Sequence, residues 1–282
     1  MKLLSDVVAP AKLNLFLHIN ARRADGYHLL QSVFMFIDWC DVLHFELSST
    51  KALQRIDLIQ DLPADDLILR AARILQQSAQ VNLGATISVE KRIPSQAGMG
   101  GGSSDAASTL LALNRLWGLN WPLSKLLPLG LKLGADVPFF LRGRNAFVEG
   151  IGDRLTPIDI PNAQFLVVKP PQGLETGRIF NDPSLERATK TVTISDFATQ
   201  IFEFGHNDLQ PVAAVLCPDV CDALSFLKAK GLSPRMTGSG SAVFAKLNQS
   251  HEDAPKMPPD WQWKICSNLQ THPLHGWALC DD

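Results

Sequence analysis

The chain of 282 residues is short of several things that would assign it to a class at once. Neither sign of charge prevails: 26 Lys plus Arg stand against 28 Asp plus Glu, a formal net charge of −2. The basic excess by which nucleic acid or an anionic membrane is held is therefore missing, and any highly anionic ligand must be held by local groups. No apolar run reaches eighteen residues; Lys132 interrupts the richest stretch, Leu126 to Leu141, so no membrane-spanning helix is expected. Met1-Lys2 is followed by Asp6 after only a short apolar stretch, which leaves no room for a secretory leader. Cysteines are few and odd in number (Cys40, Cys217, Cys221, Cys266, Cys280), with no Cys-x-x-Cys pair, which argues against a disulfide framework or a zinc knuckle. A reduced, cytoplasmic setting is the expectation. The chain has no Gly-Lys-Ser/Thr, no Gly-x-Gly-x-x-Gly and no Gly-x-Ser-x-Gly, which removes a Walker loop, a dinucleotide fingerprint and a nucleophile elbow.

What is present is an ordinary globular mixture, 46% apolar and 19% charged, long enough for two domains. Period-two leucines predict a strand over 12–20 (Leu13, Leu15, Leu17, Ile19), and 42–47 and 86–90 read as further strands. Asp65-Asp66 introduce a helix over 67–77, and Asp105 to Trp117 reads as another. Beyond the turn-rich segment 150–161, Phe165 to Val168, Ser241 to Leu247 and Trp277 to Leu279 read as strands. Asp219 to Lys230 reads as a helix stopped by Gly231, and 249–260 as a surface loop. Strands and helices without a regular repeat predict an α+β class, with domains at 1–158 and 159–282.

The most informative segment is Pro94-Ser95-Gln96-Ala97-Gly98-Met99-Gly100-Gly101-Gly102-Ser103-Ser104-Asp105. Four glycines in five positions weaken regular structure, but they let backbone N–H groups converge on an anion just before a helix N-terminus. Phosphate is the expected occupant, with Ser103 and Ser104 able to cap the helix or reach phosphate or metal. This loop resembles the phosphate loop of the GHMP kinases, which include galactokinase, homoserine kinase and mevalonate kinase. Two more segments agree with that family in order: Pro10-Ala11-Lys12-Leu13-Asn14-Leu15 and Met236-Thr237-Gly238-Ser239-Gly240-Ser241-Ala242. Asn20 to His28 and Gly134-Ala135-Asp136-Val137-Pro138-Phe139-Phe140 resemble the branch of the family whose alcohol acceptor carries a cytidine head group. The resemblance spans nearly the whole chain and weakens after Ser250.

The resemblance implies a two-domain GHMP-kinase-like architecture with the active site in the inter-domain cleft. It also implies ATP, with Mg²⁺ as the ATP complex, and direct in-line transfer to the 2-hydroxyl of a cytidine diphosphate-linked methylerythritol, a small-molecule partner. A homoserine- or mevalonate-type kinase and a non-catalytic nucleotide-binding regulator are the alternatives. The carried-over roles are Lys12 beside Asp136 as cation and proton acceptor, and residues 94–104 around the triphosphate. Asn14 is placed near the acceptor's hydroxyls, Tyr27 and Phe180 on opposite faces of the base, and His28 at its edge. Thr237 to Ser241 is expected as a second wall of the loop. An Asp between Gly134-Ala135 and Val137-Pro138 is expected to be partly desolvated, with Lys12 keeping it ionised. Asp105 is expected in the first turn of its helix, favoured by the dipole. Metal ligands are unassigned. Gln96 and Asp66 depart from the family pattern, at the loop entrance and near the adenine. Arg22, Arg23, Lys91 and Arg92 are candidates for screening polyphosphate charge.

Overall fold

The computed structural model describes residues 2–247 and 256–279. The period-two leucines lie in a strand longer than they predict: β1 (Leu3–Arg22) pairs antiparallel with β2 (His28–Ser48) along most of its length. From Ala9 to Ile19 β1 is buried on both faces. It feeds three cores in turn: Val7 and Ala9 the first, Ala11 to Phe16 the second, Leu17 and Ile19 the third. A strand read by alternation alone cannot show that both faces are covered.

Next come β3 (Leu53–Asp57), α1 (Leu67–Ser78), β4 (Gly84–Glu90), α2 (Gly101–Leu116), α3 (Leu123–Leu133) and α4 (Val137–Arg142). Ile68, Ala71, Ala72 and Leu75 give α1 an apolar face, and Asp66 caps it by accepting from Leu69 N–H at 3.0 Å. The four helices bury the first core against the sheet. The hairpin β5 (Ala146–Glu149) and β6 (Arg154–Pro157) extends β2. The remainder comprises β7 (Gln164–Lys169), α5 (Thr176–Phe180), α6 (Ile194–Ala198), α7 (Gln210–Leu216), α8 (Pro218–Ala229), β8 (Arg235–Met236), β9 (Val243–Lys246) and β10 (Gln262–Leu269). Gly231 follows α8 with φ +77°, as a C′ glycine should.

The sheet runs β3-β4-β2-β10-β7-β9-β8, with β1 beside β2. The strand joining its two parts, β10, is absent from the sequence expectations. It pairs with β7 over 262–267 and with β2 through Asn268–Ile37 and Leu269–Phe36. Trp277 to Leu279 is not a strand. The chain turns there at Gly276 (φ +79°) and docks on the end of α2, where Arg115 lies 4.3 Å over the Trp277 ring and donates to its carbonyl. The expected loop 249–260 falls largely outside the described residues. The class is mixed helix and sheet, as expected.

Candidate active site

Helix α2 starts four residues earlier than its apolar pattern predicts, so Gly101 to Ser104 form its first turn. Its N-cap is Gly100, left-handed at φ +72° and bearing no side chain to bond the turn's N–H groups. The first intrahelical bond is Ser104 N–H to the Gly100 carbonyl, 2.9 Å. The N–H groups of Gly101, Gly102 and Ser103 precede it and are left by the helix for an anion. Residues 94–103 line a cavity of about 520 Å³ in front of this turn. Ser104 does not line it. Its hydroxyl is buried without a partner among the described residues, so the placement of Ser104 at phosphate or metal is corrected in favour of Ser103.

Main chain meets main chain behind the loop. A Cβ on Gly98 would lie 2.3 Å from the Thr237 carbonyl oxygen, and one on Gly100 would lie 2.9 Å from the Phe140 ring and 3.3 Å from Lys12 Cε. Ser241 N–H donates to the Gln96 carbonyl at 3.1 Å and Ala242 N–H to Ala97 at 3.3 Å. Thr237 to Ser241 thus forms the second wall of the loop. Buried Asn207 fixes that wall by donating to the carbonyls of Met236 and Gly238, 2.8 Å each. Gln96, at φ +51°, lies against Gly173, so the segment after β7 flanks the entrance to the loop.

Lys12 and Asp136, 124 positions apart in sequence, meet at 3.7 Å. The Asp136 side chain is partly desolvated, as expected, at 32% exposed, and that of Lys12 is the more deeply buried of the two at 5%. Burial lowers the Lys12 pKa, with Asp136 working against the shift. Lys12 Nζ donates to Asn14 Oδ1 at 2.5 Å, two positions along the same strand face, and lies over the Phe34 ring. The amide of Asn14 donates to Ser32 Oγ and its N–H to Thr237 Oγ1, 2.9 Å each. Ser32 and Asn207 are positioning groups that no sequence spacing singles out, whereas Thr237 lies in the third segment quoted for the family resemblance.

Asp105 is not in the first turn of α2; that expectation fails because the helix begins at Gly101. The carboxylate is buried and paired with Lys91 Nζ at 2.6 Å, and Lys91 also bonds buried Asp41. Burial raises Asp105 to about 8, Lys91 opposes this, and Asp41 adds to it. Asp41 further accepts from Arg92 and Ile93 N–H, 2.6 and 2.8 Å, so the group ties the end of β4 to α2 on both sides of the loop. The Lys91 charge is already matched. Arg92 pairs with Glu90 and Arg23 with Asp25, both toward solvent, which leaves Arg22 as the cation beside the second cavity. Asp66 lines the large cavity but is engaged by its capping bond and by Arg55 at 2.9 Å. Among the described residues no three His, Cys, Asp or Glu side chains gather as a metal site. The donors near the loop suit a cation that arrives on phosphate oxygens and keeps its waters, as Mg²⁺ does.

Beyond Phe180 and Leu30 the cleft continues into a second cavity, about 400 Å³, that Arg22, Tyr27, His28 and Asn181 also line. Tyr27 is 61% exposed at its rim, whereas the His28 ring is buried 5.2 Å from that of Phe180. Phe180, at the end of α5, is therefore wall rather than core.

The chain matches the model for the GHMP kinases N terminal domain over residues 66–144 and that for the GHMP kinases C terminal over 186–258. It is 60% identical over 295 residues to the 4-diphosphocytidyl-2-C-methyl-D-erythritol kinase of Variovorax paradoxus (strain S110), covering 99% of this chain and all of that one. It is 59% identical to the kinase of the same name from Albidiferax ferrireducens, covering 100% and 98%. Among solved structures, a 4-(cytidine 5'-diphospho)-2C-methyl-D-erythritol kinase superposes with a TM-score of 0.75 at 30% identity, covering 93% and 98%. A homoserine kinase from Cytophaga hutchinsonii, 18% identical, shares the fold at 0.67, covering 96% of each chain. With a glycine-rich loop opening α2, a buried lysine against an aspartate and full-length likeness to these enzymes, the chain belongs to the GHMP kinases, ATP-dependent small-molecule kinases, and groups there with the 4-diphosphocytidyl-2-C-methyl-D-erythritol kinases.

Proposed function

We propose that the protein transfers the γ-phosphoryl group of ATP to the 2-hydroxyl of 4-diphosphocytidyl-2-C-methyl-D-erythritol, a step of non-mevalonate isoprenoid biosynthesis. The observation that carries this reading is the Lys12–Asp136 pair at 3.7 Å in a cleft with a phosphate loop at one end and an aromatic pocket at the other. The first-turn N–H groups of α2 and residues 94–103 take the triphosphate. Mg²⁺ bound to the phosphates would supply charge neutralisation there, and Ser95 and Ser103 are the loop hydroxyls that line the same cavity.

Asp136 accepts the hydroxyl proton as the acceptor oxygen attacks in line. The Lys12 ammonium, held by Asn14 and Asp136, steadies the alkoxide that develops. No phospho-enzyme is needed. Asn14 orients the acceptor's hydroxyls, Tyr27 and Phe180 sandwich the cytosine, and His28 meets its edge. The units 1–158 and 159–282, a reduced cytoplasmic setting and the absence of nucleic-acid or membrane partners belong to the same reading. The odd cysteine count and the balanced charge support the setting and the partners, and the first core, drawn chiefly from residues 7–148, supports the first unit.

A coupled ADP-release assay decides. Turnover is expected with the cytidylated acceptor and not with homoserine or mevalonate, and CMP should compete with the acceptor but not with ATP. ATP binding without ADP release from that acceptor would instead mark a nucleotide-binding regulator.

A further inference from the structure

Arg187 belongs to no motif, lines neither cavity and still spends its whole donor set on the acceptor end of the cleft. Its Nη2 donates to the carbonyls of Asp182 (2.6 Å) and Phe180 (3.3 Å), and its Nη1 to those of Leu185 (2.9 Å) and Pro183 (3.5 Å). Those carbonyls belong to the turn that leaves α5, so a planar fork takes the place of a hydrogen-bond ladder there. The remaining donor, Nε–H, lies 3.2 Å from His28 Nε2, across 159 positions of sequence.

A guanidinium can only donate, so the nitrogen facing it must offer a lone pair. His28 is then neutral, with its proton on Nδ1, and none of the described residues takes that proton. Protonating the ring would set N–H against N–H. The groups around the imidazole agree. Arg22 stands opposite it in the β1–β2 register, Arg187 faces it from the turn, and Asp25 is engaged with Arg23. Burial first, then Arg187 and Arg22, lower its pKa.

We propose that Arg187 is a positioning residue of the acceptor pocket. It fixes His28 as the neutral Nδ1–H tautomer, a hydrogen-bond donor toward an acceptor atom on a pyrimidine edge, and pins the turn that holds Phe180 against that base. The proposal rests on the functional reading above, in that the occupant is the acceptor's pyrimidine. The recognition it describes is directional: a base edge offering a ring nitrogen or carbonyl oxygen is accepted, and one offering only N–H is refused.

The test begins with ¹⁵N-detected imidazole NMR on the wild-type protein across pH 5–8, with His28 assigned by substitution. His28 should be the Nδ1–H tautomer and titrate below the ordinary histidine range. In Arg187→Ala its pKa should rise, the acceptor KM should increase about tenfold or more, and the ATP KM should stay within twofold, since a charge-assisted bond has been removed from one end only. Arg187→Lys keeps the charge but cannot bridge ring and turn, and should remain close to the Ala variant. An Nε2–H tautomer in the wild type, an unchanged acceptor KM in Arg187→Ala, or equal increases in both KM values would each overturn the proposal. Should Arg187→Ala fail to fold, the wild-type tautomer decides alone. Failure of the functional reading looks different: the wild type would neither bind cytidine diphosphate in calorimetry nor turn over the cytidylated acceptor.

Discussion

At the glycine-loop end of the cleft the walls are largely main chain: Gly98 against the Thr237 carbonyl, Gly238 against the Gly98 carbonyl, and the glycine first turn of α2 along the cavity. Beyond Phe180 they are side chains brought from two distant stretches, Arg22, Tyr27 and His28 from one and Phe180 from the other, with Arg187 behind them. A site of bare main chain has one solution, because each added atom meets backbone that cannot rotate away. A site of side chains is graded, since each member can be shortened and the loss shared. The first kind writes a conspicuous motif into the sequence, and the second scatters ordinary residues along it.

The sharpest test of the contrast lies at the junction of the two ends. Asp136→Asn and Lys12→Ala should each lower kcat at least ~100-fold with both substrates still binding, as single-turnover assays would show; near-normal turnover in Asp136→Asn would remove that carboxylate from the chemistry. Next, Gly98→Ala should raise the ATP KM more than ~10-fold and cost roughly 1–3 kcal/mol in denaturant unfolding, from its left-handed φ and the clash with Thr237. Gly177→Ala, whose Cβ would meet nothing within 4 Å, should change neither KM by as much as twofold. Equal behaviour of these two alanines would break the comparison.

Phe180→Ala should then raise the acceptor KM by roughly 5- to 100-fold and leave that for ATP alone, since a stacked base is worth ~1–3 kcal/mol. The effect furthest from catalysis concerns acid stability. His272 is buried edge-on to Phe36, behind the helix that follows Asp136, and burial lowers its pKa to about 3. The unfolded chain takes up that proton first. Its stabilising contribution is therefore complete above pH 6.5 and lost as pH falls toward 3, by up to ~1.4 kcal/mol per pH unit. His272→Asn keeps an acceptor for Leu274 N–H and should flatten that slope in urea titrations at pH 4–7.

Much of the first half could be read from the chain. The leucines of β1, the apolar face of α1 and the glycine loop each carry a local pattern with a local cause. What could not be read there was the start of α2: glycines are poor helix residues, yet in a first turn their N–H groups need no helix partner. Asp105 was therefore misplaced by one turn, and its burial with Lys91 and Asp41 is a tertiary fact without local trace. In the second half β10 was missed because Lys264, Ser267 and Asn268 interrupt its apolar alternation. Lys264 and Ser267 instead bond Asp38 on β2, and Asn268 bonds the chain at 161–163. Lys12 and Asp136 were legible only through resemblance, since nothing in 124 intervening positions announces their meeting. Asn207 and Arg187 gave no signal, because a residue that serves carbonyls looks like any other polar loop residue.

The seam at Ile37 and Phe36, filled by Asn268 and Leu269, has a consequence for how the molecule comes into being. Lys12 and the glycine loop leave the ribosome early, and β4 and β5 cover most of the edge of β2 soon after, but the short gap at Ile37 and the edge of β7 wait until residues 262–269 emerge. Until then a nascent chain would carry the exposed edge of β7, a place where two growing copies could zip together. Chaperone engagement timed to that interval, and aggregation of chains halted before residue 262, are what such a late closure would bring.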